Sequence, residues 1–345
     1  AGTTRGGGPP ESVLVYLALQ GGSSPGAFTS GALDRLLEER WITVEAISGT
    51  SAGAMNAAVF AHGMATGGHD GAAEALEIFW RRVSQAATYS PFQRSPLDRL
   101  FGRWTLDYSP LYIATDLMAR LISPYAIGGA RNPLSGLLEE CIDFDRLASG
   151  PVKLFVTATN VHTGRPRVFR NHEITPDVLL ASACLPTMFQ AIEIDGEPYW
   201  DGGFSGNPTL TPLVRECEAH DTFLVQINPV ERQETPRGAR DILSRVNEVA
   251  FNATLLKELK MIALLREVVD AGNCEGRLWG EMRLHRIASP VMNTLGASSK
   301  LNAEWDFLSM LRSEGYRAAD LFARTHGQDV GVRPSFDVAT LLEGV

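Results

Sequence analysis

Val44-Glu45-Ala46-Ile47-Ser48-Gly49-Thr50-Ser51-Ala52-Gly53-Ala54-Met55-Asn56-Ala57-Ala58 is the stretch on which the fold reading turns. Residues 44–48 are a short, mostly apolar run that stops at a glycine, as a strand buried in a parallel sheet does. From Ala52 to about residue 65 the chain is mostly apolar, so a helix follows at once, reached through Gly49, Thr50 and Ser51. The same arrangement stands just upstream. Residues 13–19 form an apolar, β-branched and aromatic run, followed by Gly21-Gly22-Ser23-Ser24-Pro25-Gly26. Beyond that loop Phe28, Ala32, Leu33, Leu36 and Leu37 recur at helical spacing, while Asp34, Arg35, Glu38 and Glu39 take the other side. Two consecutive strand-loop-helix units predict an α/β fold: a three-layer α/β/α architecture with a mainly parallel central sheet.

Each unit overlaps a long charge-free run. Residues 12–33 and 46–68 contain no Asp, Glu, Lys or Arg, and by length alone each could span a bilayer. Their centres exclude that: Gly21 to Gly26 would leave unsatisfied backbone in hydrocarbon, and the second run is rich in Gly, Ser and Ala with Asn56 and His62. They read as buried segments of a globular chain. The 345 residues carry 40 Asp+Glu against 31 Lys+Arg, a formal charge of −9. An acidic chain without a basic block lacks the footprint of a nucleic-acid binder, so no nucleic-acid partner is expected. Cys141, Cys184, Cys217 and Cys274 are widely spaced and form no C-x-x-C pair, so neither a metal site nor a disulfide framework is expected. A reducing, cytoplasmic setting follows. The chain opens at Ala1 without a methionine, which leaves room for an upstream piece, and the Gly- and Pro-rich residues 1–11 read as a disordered tail.

Residues 12–230 read as one catalytic domain. A helix over residues 72–83 leads into an insert at about 84–135, which is helical, rich in aromatics (Tyr89, Phe92, Phe101, Trp104, Tyr108, Tyr112, Tyr125) and punctuated by prolines. It packs on the sheet or caps an apolar pocket. Strand signals return at 152–159 and 223–227. Residues 231–345 read as a mostly helical elaboration packed on the same domain. There Ile242, Leu243, Val246, Val249, Leu256, Leu259 and Leu265 mark one or two long helices, and a final helix falls near 305–322.

Gly49-Thr50-Ser51-Ala52-Gly53 is a G-x-S-x-G between a strand and a helix, the context of a nucleophile elbow. Small flanking residues allow a tight turn that lifts the Ser51 hydroxyl clear of the sheet, and the helix N-terminus favours negative charge beside it. The bland alternative is a close-packed βα turn. A serine needs a base. In the α/β-hydrolase plan several strands precede the elbow, whereas here one unit does; His220, His285 and His326 follow in an order that still permits a Ser-His-Asp esterase. The other marked carboxylate is Asp201. Asp195-Gly196 is a hairpin-turn dipeptide, Tyr199-Trp200 the return strand, and Asp201 emerges before Gly202 and Gly203 with room for a partner to approach. It is either a turn cap or the base of a Ser-Asp dyad with Ser51. The loop Gly21, Gly22, Ser23, Ser24 offers backbone N–H groups for an oxyanion; the G-x-G-x-x-G pattern fails at Ser23 and no G-K-[ST] follows, which disfavours a nucleotide.

The glycine loop, the turn at 49–53 and Asp201-Gly202-Gly203, in that order and with Ala181-Ser182-Ala183-Cys184-Leu185-Pro186 upstream of the aspartate, resemble the patatin-like phospholipase family of lipid acyl hydrolases. The resemblance runs over about residues 13–230. It implies Ser51 as nucleophile, Asp201 as base, the glycine loop as oxyanion hole, fatty acyl esters of phospholipids, lysophospholipids or neutral lipids as substrates, and no metal or other cofactor. A lipid substrate implies peripheral membrane contact, for which no polybasic cluster gives independent support. Two positions depart from the family loop, G-G-G-x-[RKH]-G. Ser23 replaces a glycine, so a positive φ is harder to reach, and Pro25 replaces a basic residue and has neither N–H nor charge. These departures imply weakened activity or an altered substrate, and they keep open a catalytically degenerate lipid- or protein-binding member of the same fold.

Overall fold

The computed structural model describes residues 12–88, 92–121, 123–126, 132, 134–268 and 274–342. The tail at 1–11, Tyr89 and part of the insert lie outside the described residues. The elements run β1 (Val13–Leu19), α1 (Gly26–Leu37), β2 (Ile42–Gly49), α2 (Ala52–Thr88), α3 (Pro96–Leu100), α4 (Pro110–Leu121), α5 (Leu134–Cys141), α6 (Phe144–Ala148), β3 (Lys153–Asn160), β4 (Pro166–Arg170), α7 (Pro176–Ser182), β5 (Ile192–Ile194), β6 (Glu197–Asp201), α8 (Thr211–Glu216), β7 (Asp221–Val225), α9 (Ala239–Val268), α10 (Cys274–Glu281), β8 (Arg283–Ile287), α11 (Trp305–His326) and α12 (Val338–Leu342). Gly67 and Gly68 break α2 into two helices, Gly68 with φ +61°.

The strands form one sheet in the order β5-β6-β3-β2-β1-β7-β8, with β4 also on β3. Strands β3, β2, β1, β7 and β8 are parallel neighbours, whereas β4 and β6 run antiparallel to β3. Alternation along β1 sorts the core into two layers. Val15, Leu17 and Leu19 join one apolar cluster with residues of α1, α2, α5, α7 and α11. Tyr16 and Ala18 join a second with residues of α8, α9, α10 and α12. Helices therefore cover both faces of a mixed, mostly parallel sheet, as expected for an α/β fold.

Pairing along β3 positions the chemistry. Val156 pairs with Gly49, the last residue of β2, and two residues on Ala158 pairs with Asp201 of β6 on one edge and Arg167 of β4 on the other. Strand β6 thus takes the edge that β2 vacates, which brings Asp201 alongside the turn after Gly49. The hairpin that delivers β6 turns at Asp195 (φ +54°) and Gly196 (φ +78°), both left-handed as a two-residue hairpin requires.

Two expectations change. Strands β4 and β8 are additional, so the C-terminal third contributes to the sheet as well as helices. Strand β7 begins at Asp221, earlier than the apolar run indicates. Ile242, Leu243, Val246 and Val249 lie on the long helix α9 and are exposed, Val246 by 56%. Helical spacing reports a shared face and not what the face meets. Among the described residues, no helix is long and apolar enough to cross a membrane.

Candidate active site

Ser51 stands in the left-handed region at φ +54°, between strand β2 and the first turn of α2. A non-glycine residue there is strained, and such strain persists only where neighbours hold it. They do so here. The Ser51 N–H donates to Ser182 Oγ (2.9 Å), whose hydroxyl donates to the Thr157 carbonyl (2.6 Å). The Thr50 hydroxyl donates to the Gly206 carbonyl (2.7 Å), and the Ala54 and Met55 N–H groups both donate to the Ser51 carbonyl as the helix starts. Gly21 packs directly against the turn: a Cβ on it would lie 2.6 Å from both Ser51 Cβ and the Thr50 carbonyl oxygen.

Asp201 is buried, with its N–H donating to the Cys184 carbonyl (2.8 Å) and its carbonyl accepting from Thr159 Oγ1 (2.8 Å). Gly202 allows this placement, since a Cβ there would come within 2.0 Å of the Thr157 carbonyl oxygen. Asp201 Oδ1 accepts the Gly203 N–H (2.7 Å). Burial pushes the carboxyl up to about 7, with hydrogen bonds from the Gly203 N–H and the Ser51 hydroxyl pulling the other way. A base poised near neutrality can both take and return a proton.

The glycine loop is reached but only partly free. Ser23 adopts φ +58° despite its side chain. The expectation that all four loop N–H groups are available is corrected to two: Gly21 N–H donates to Asn207 Oδ1 (2.7 Å) and Ser24 N–H to the Lys300 carbonyl (3.1 Å). Gly22 and Ser23 N–H have no hydrogen-bond partner among the described residues.

Gly22, Ser23, Ser51 and Asp201 line one cavity of about 360 Å³. Its walls include Tyr112 of α4, Leu185 and Met188 after α7, and Leu243 and Phe251 of α9, with Leu301 beyond. The same lining carries polar and charged side chains, among them Asp116, Asn228, Arg240, Asn247, Glu248 and Lys300. His220, His285 and His326 are not among its lining residues: His220 lies near Glu281, His285 against Asp221, and His326 against Asp329. Ser182 stands in the sequence only as part of the 181–186 segment, and its role in holding Ser51 is not legible there. The segment around it braces Ser51 through a hydroxyl and Asp201 through the Cys184 carbonyl, and its run of small residues is the signal that marks it.

The family model described as Patatin-like phospholipase matches residues 17–214, which contain the glycine loop, the 49–53 turn and Asp201-Gly202-Gly203. Eleven solved chains match, among them the crystal structure of VipD from Legionella pneumophila, with 16% identity over 89% of this chain and 67% of that one and a TM-score of 0.36. A likeness at that level carries no argument. No curated protein matches.

Proposed function

The chain belongs to the patatin-like phospholipase family, and from that premise we propose that it is a serine acyl hydrolase cleaving fatty acyl esters of phospholipids or related lipids with a Ser51–Asp201 dyad. The Asp201 carboxylate takes the proton from Ser51 as Oγ attacks the ester carbonyl, and the Gly22 and Ser23 N–H groups receive the oxyanion. Collapse expels the alcohol, which leaves with the proton from Asp201. A water molecule then gives its proton to Asp201 and attacks the acyl-serine, and the fatty acid and free Ser51 result. The observation that supports this reading is that a strained serine and a buried carboxyl, pushed up to about 7, line one cavity whose described lining residues include no histidine.

Peripheral contact with a lipid surface, in a cytoplasmic setting, belongs to the same proposal. Its support is the exposed apolar side chains of α4 (Leu111, Leu117) and α9 (Ile242, Val246), the two helices that contribute to the cavity walls.

Hydrolysis of a p-nitrophenyl acyl ester by wild type, Ser51→Ala, Asp201→Asn and His285→Gln tests the dyad. Both dyad variants are expected to fall by about a thousandfold or more, with His285→Gln retaining its turnover per folded molecule. Absence of wild-type turnover would favour the binding-only alternative, and full activity in Asp201→Asn would refute the dyad.

A further inference from the structure

Pro25 stands where the family loop carries a basic residue, yet a cation from the C-terminal part of the chain lines the cavity of Ser51. Lys300 lies in the short turn Ala297–Leu301. Its carbonyl accepts the Ser24 N–H (3.1 Å), which ties it to the residue just before Pro25, and its side chain lines the cavity with Gly22, Ser23 and Ser51. Nζ donates to Glu248 Oε1 (3.1 Å) and to Ser244 Oγ (3.3 Å).

Glu248 does not cancel this charge. Its carboxylate, 2% exposed, also accepts from Arg232 (2.7 and 3.2 Å) and Arg245 (3.3 Å). Both arginines are themselves fixed on backbone carbonyls, Arg232 on Asn293 and Leu295, and Arg245 on Pro229 and Val230. One buried carboxylate thus serves three cations, whose side chains are 23–24% exposed, while Glu234 and Asp241 line the adjoining pocket beside the two arginines. Burial lowers the Lys300 pKa; Glu248 opposes that shift, while Arg232 and Arg245 add to it by repulsion. Arg240, the other cation among the described lining residues, is paired with Asp116 (2.9 Å). Among the described lining residues the remaining carboxyl is Asp201.

We infer that Lys300 supplies the positive charge that Pro25 cannot, as a positioning residue whose field supports the oxyanion held by the Gly22 and Ser23 N–H groups; this rests on the hydrolase reading above. Such support acts as charge develops, so it belongs to kcat more than to KM.

The test is kcat and KM on p-nitrophenyl butyrate for wild type, Lys300→Met and Lys300→Arg, with thermal unfolding of each. Lys300→Met is expected to lose about ten- to a hundredfold in kcat with KM changed by no more than about twofold. Lys300→Arg restores most of the loss and moves the alkaline fall of kcat to higher pH, which a merely structural ion pair would not do. Binding of an acyl trifluoromethyl ketone, whose adduct with Ser51 carries the oxyanion, weakens in parallel, while the unreactive methyl ketone binds as before. Where Lys300→Met fails to fold, Lys300→Gln takes its place. An active wild type with kcat unchanged in the neutral variant, or a loss that arginine does not restore, overturns the role of Lys300 alone. A wild type that neither turns over the ester nor forms the adduct overturns the hydrolase reading and this role with it.

Discussion

Asp201 and Asp221 are both buried aspartates at the ends of sheet strands, and their surroundings give them opposite charge costs. Asp221, at the start of β7, accepts from Arg283 Nε (3.0 Å) and Nη2 (2.6 Å), from His285 Nε2 (2.7 Å) and from the Gly331 N–H (2.9 Å). Burial acts to raise its pKa, but the hydrogen bonds from His285, Arg283 and Gly331 outweigh it and hold the carboxyl down to about 2. Asp201, at the end of β6, has the Gly203 N–H and the Ser51 hydroxyl, no cation, and a pKa pushed up to about 7. Burial therefore does not decide the state of a carboxylate; the donors supplied to it do. The first arrangement clamps the 331 segment and β8 onto the sheet. The second leaves a carboxyl short of partners on the wall of the cavity that Ser51 also lines, where the proposed proton transfer would use it.

That contrast can be broken by mutation. The largest stability effect is expected for Asp221→Ala, which leaves Arg283 and His285 without their acceptor and costs about 3–5 kcal/mol in denaturant unfolding; the folded fraction should keep its turnover per molecule. A loss of activity beyond the unfolded fraction would blur the division between clamp and site. Asp201→Asn should act in the other direction on stability. A folded pKa raised above the unfolded value means that the native state loses stability as pH rises from about 4 to about 7, and Asn removes that loss. The variant is expected to gain about 1–3 kcal/mol over wild type above pH 7, with the gain vanishing below pH 4. A destabilised Asp201→Asn would mean that the carboxylate is better supported than its two donors suggest. Smallest is Ser23→Gly. Relief of a left-handed serine, about 1–2 kcal/mol, exceeds the extra chain entropy of glycine, about 0.5–1 kcal/mol, so melting should rise slightly with the loop N–H intact.

The two strand-loop-helix units and the Asp195-Gly196 hairpin are legible in the sequence because each is a local pattern of about ten residues. Ser51 and Asp201 stand out for the same reason. The strands that are not legible have polar patterns. Strand β4 opens at Pro166 and carries Arg167 and Arg170, and β8 carries Arg283, His285 and Arg286. His285 is buried only because Asp221 receives it, a pairing that no local window contains. The engagement of the Gly21 and Ser24 N–H groups depends likewise on Asn207 and Lys300, and Lys300 sits in an unmarked run of small residues. The spacing of Ile242, Leu243, Val246 and Val249 marks the helix α9 but not the exposure of that side.

The central claim is that Ser51 is activated by Asp201, and the rate at which a long-chain fluorophosphonate labels Ser51, followed by mass spectrometry of its peptide from pH 5 to 9, tests it most directly. The expected result is a single adduct on Ser51 that forms faster as pH rises through about 7 and more than about a thousandfold more slowly in Asp201→Asn at every pH. Labelling at another residue, or an Asp201→Asn protein labelled at the wild-type rate, would contradict it.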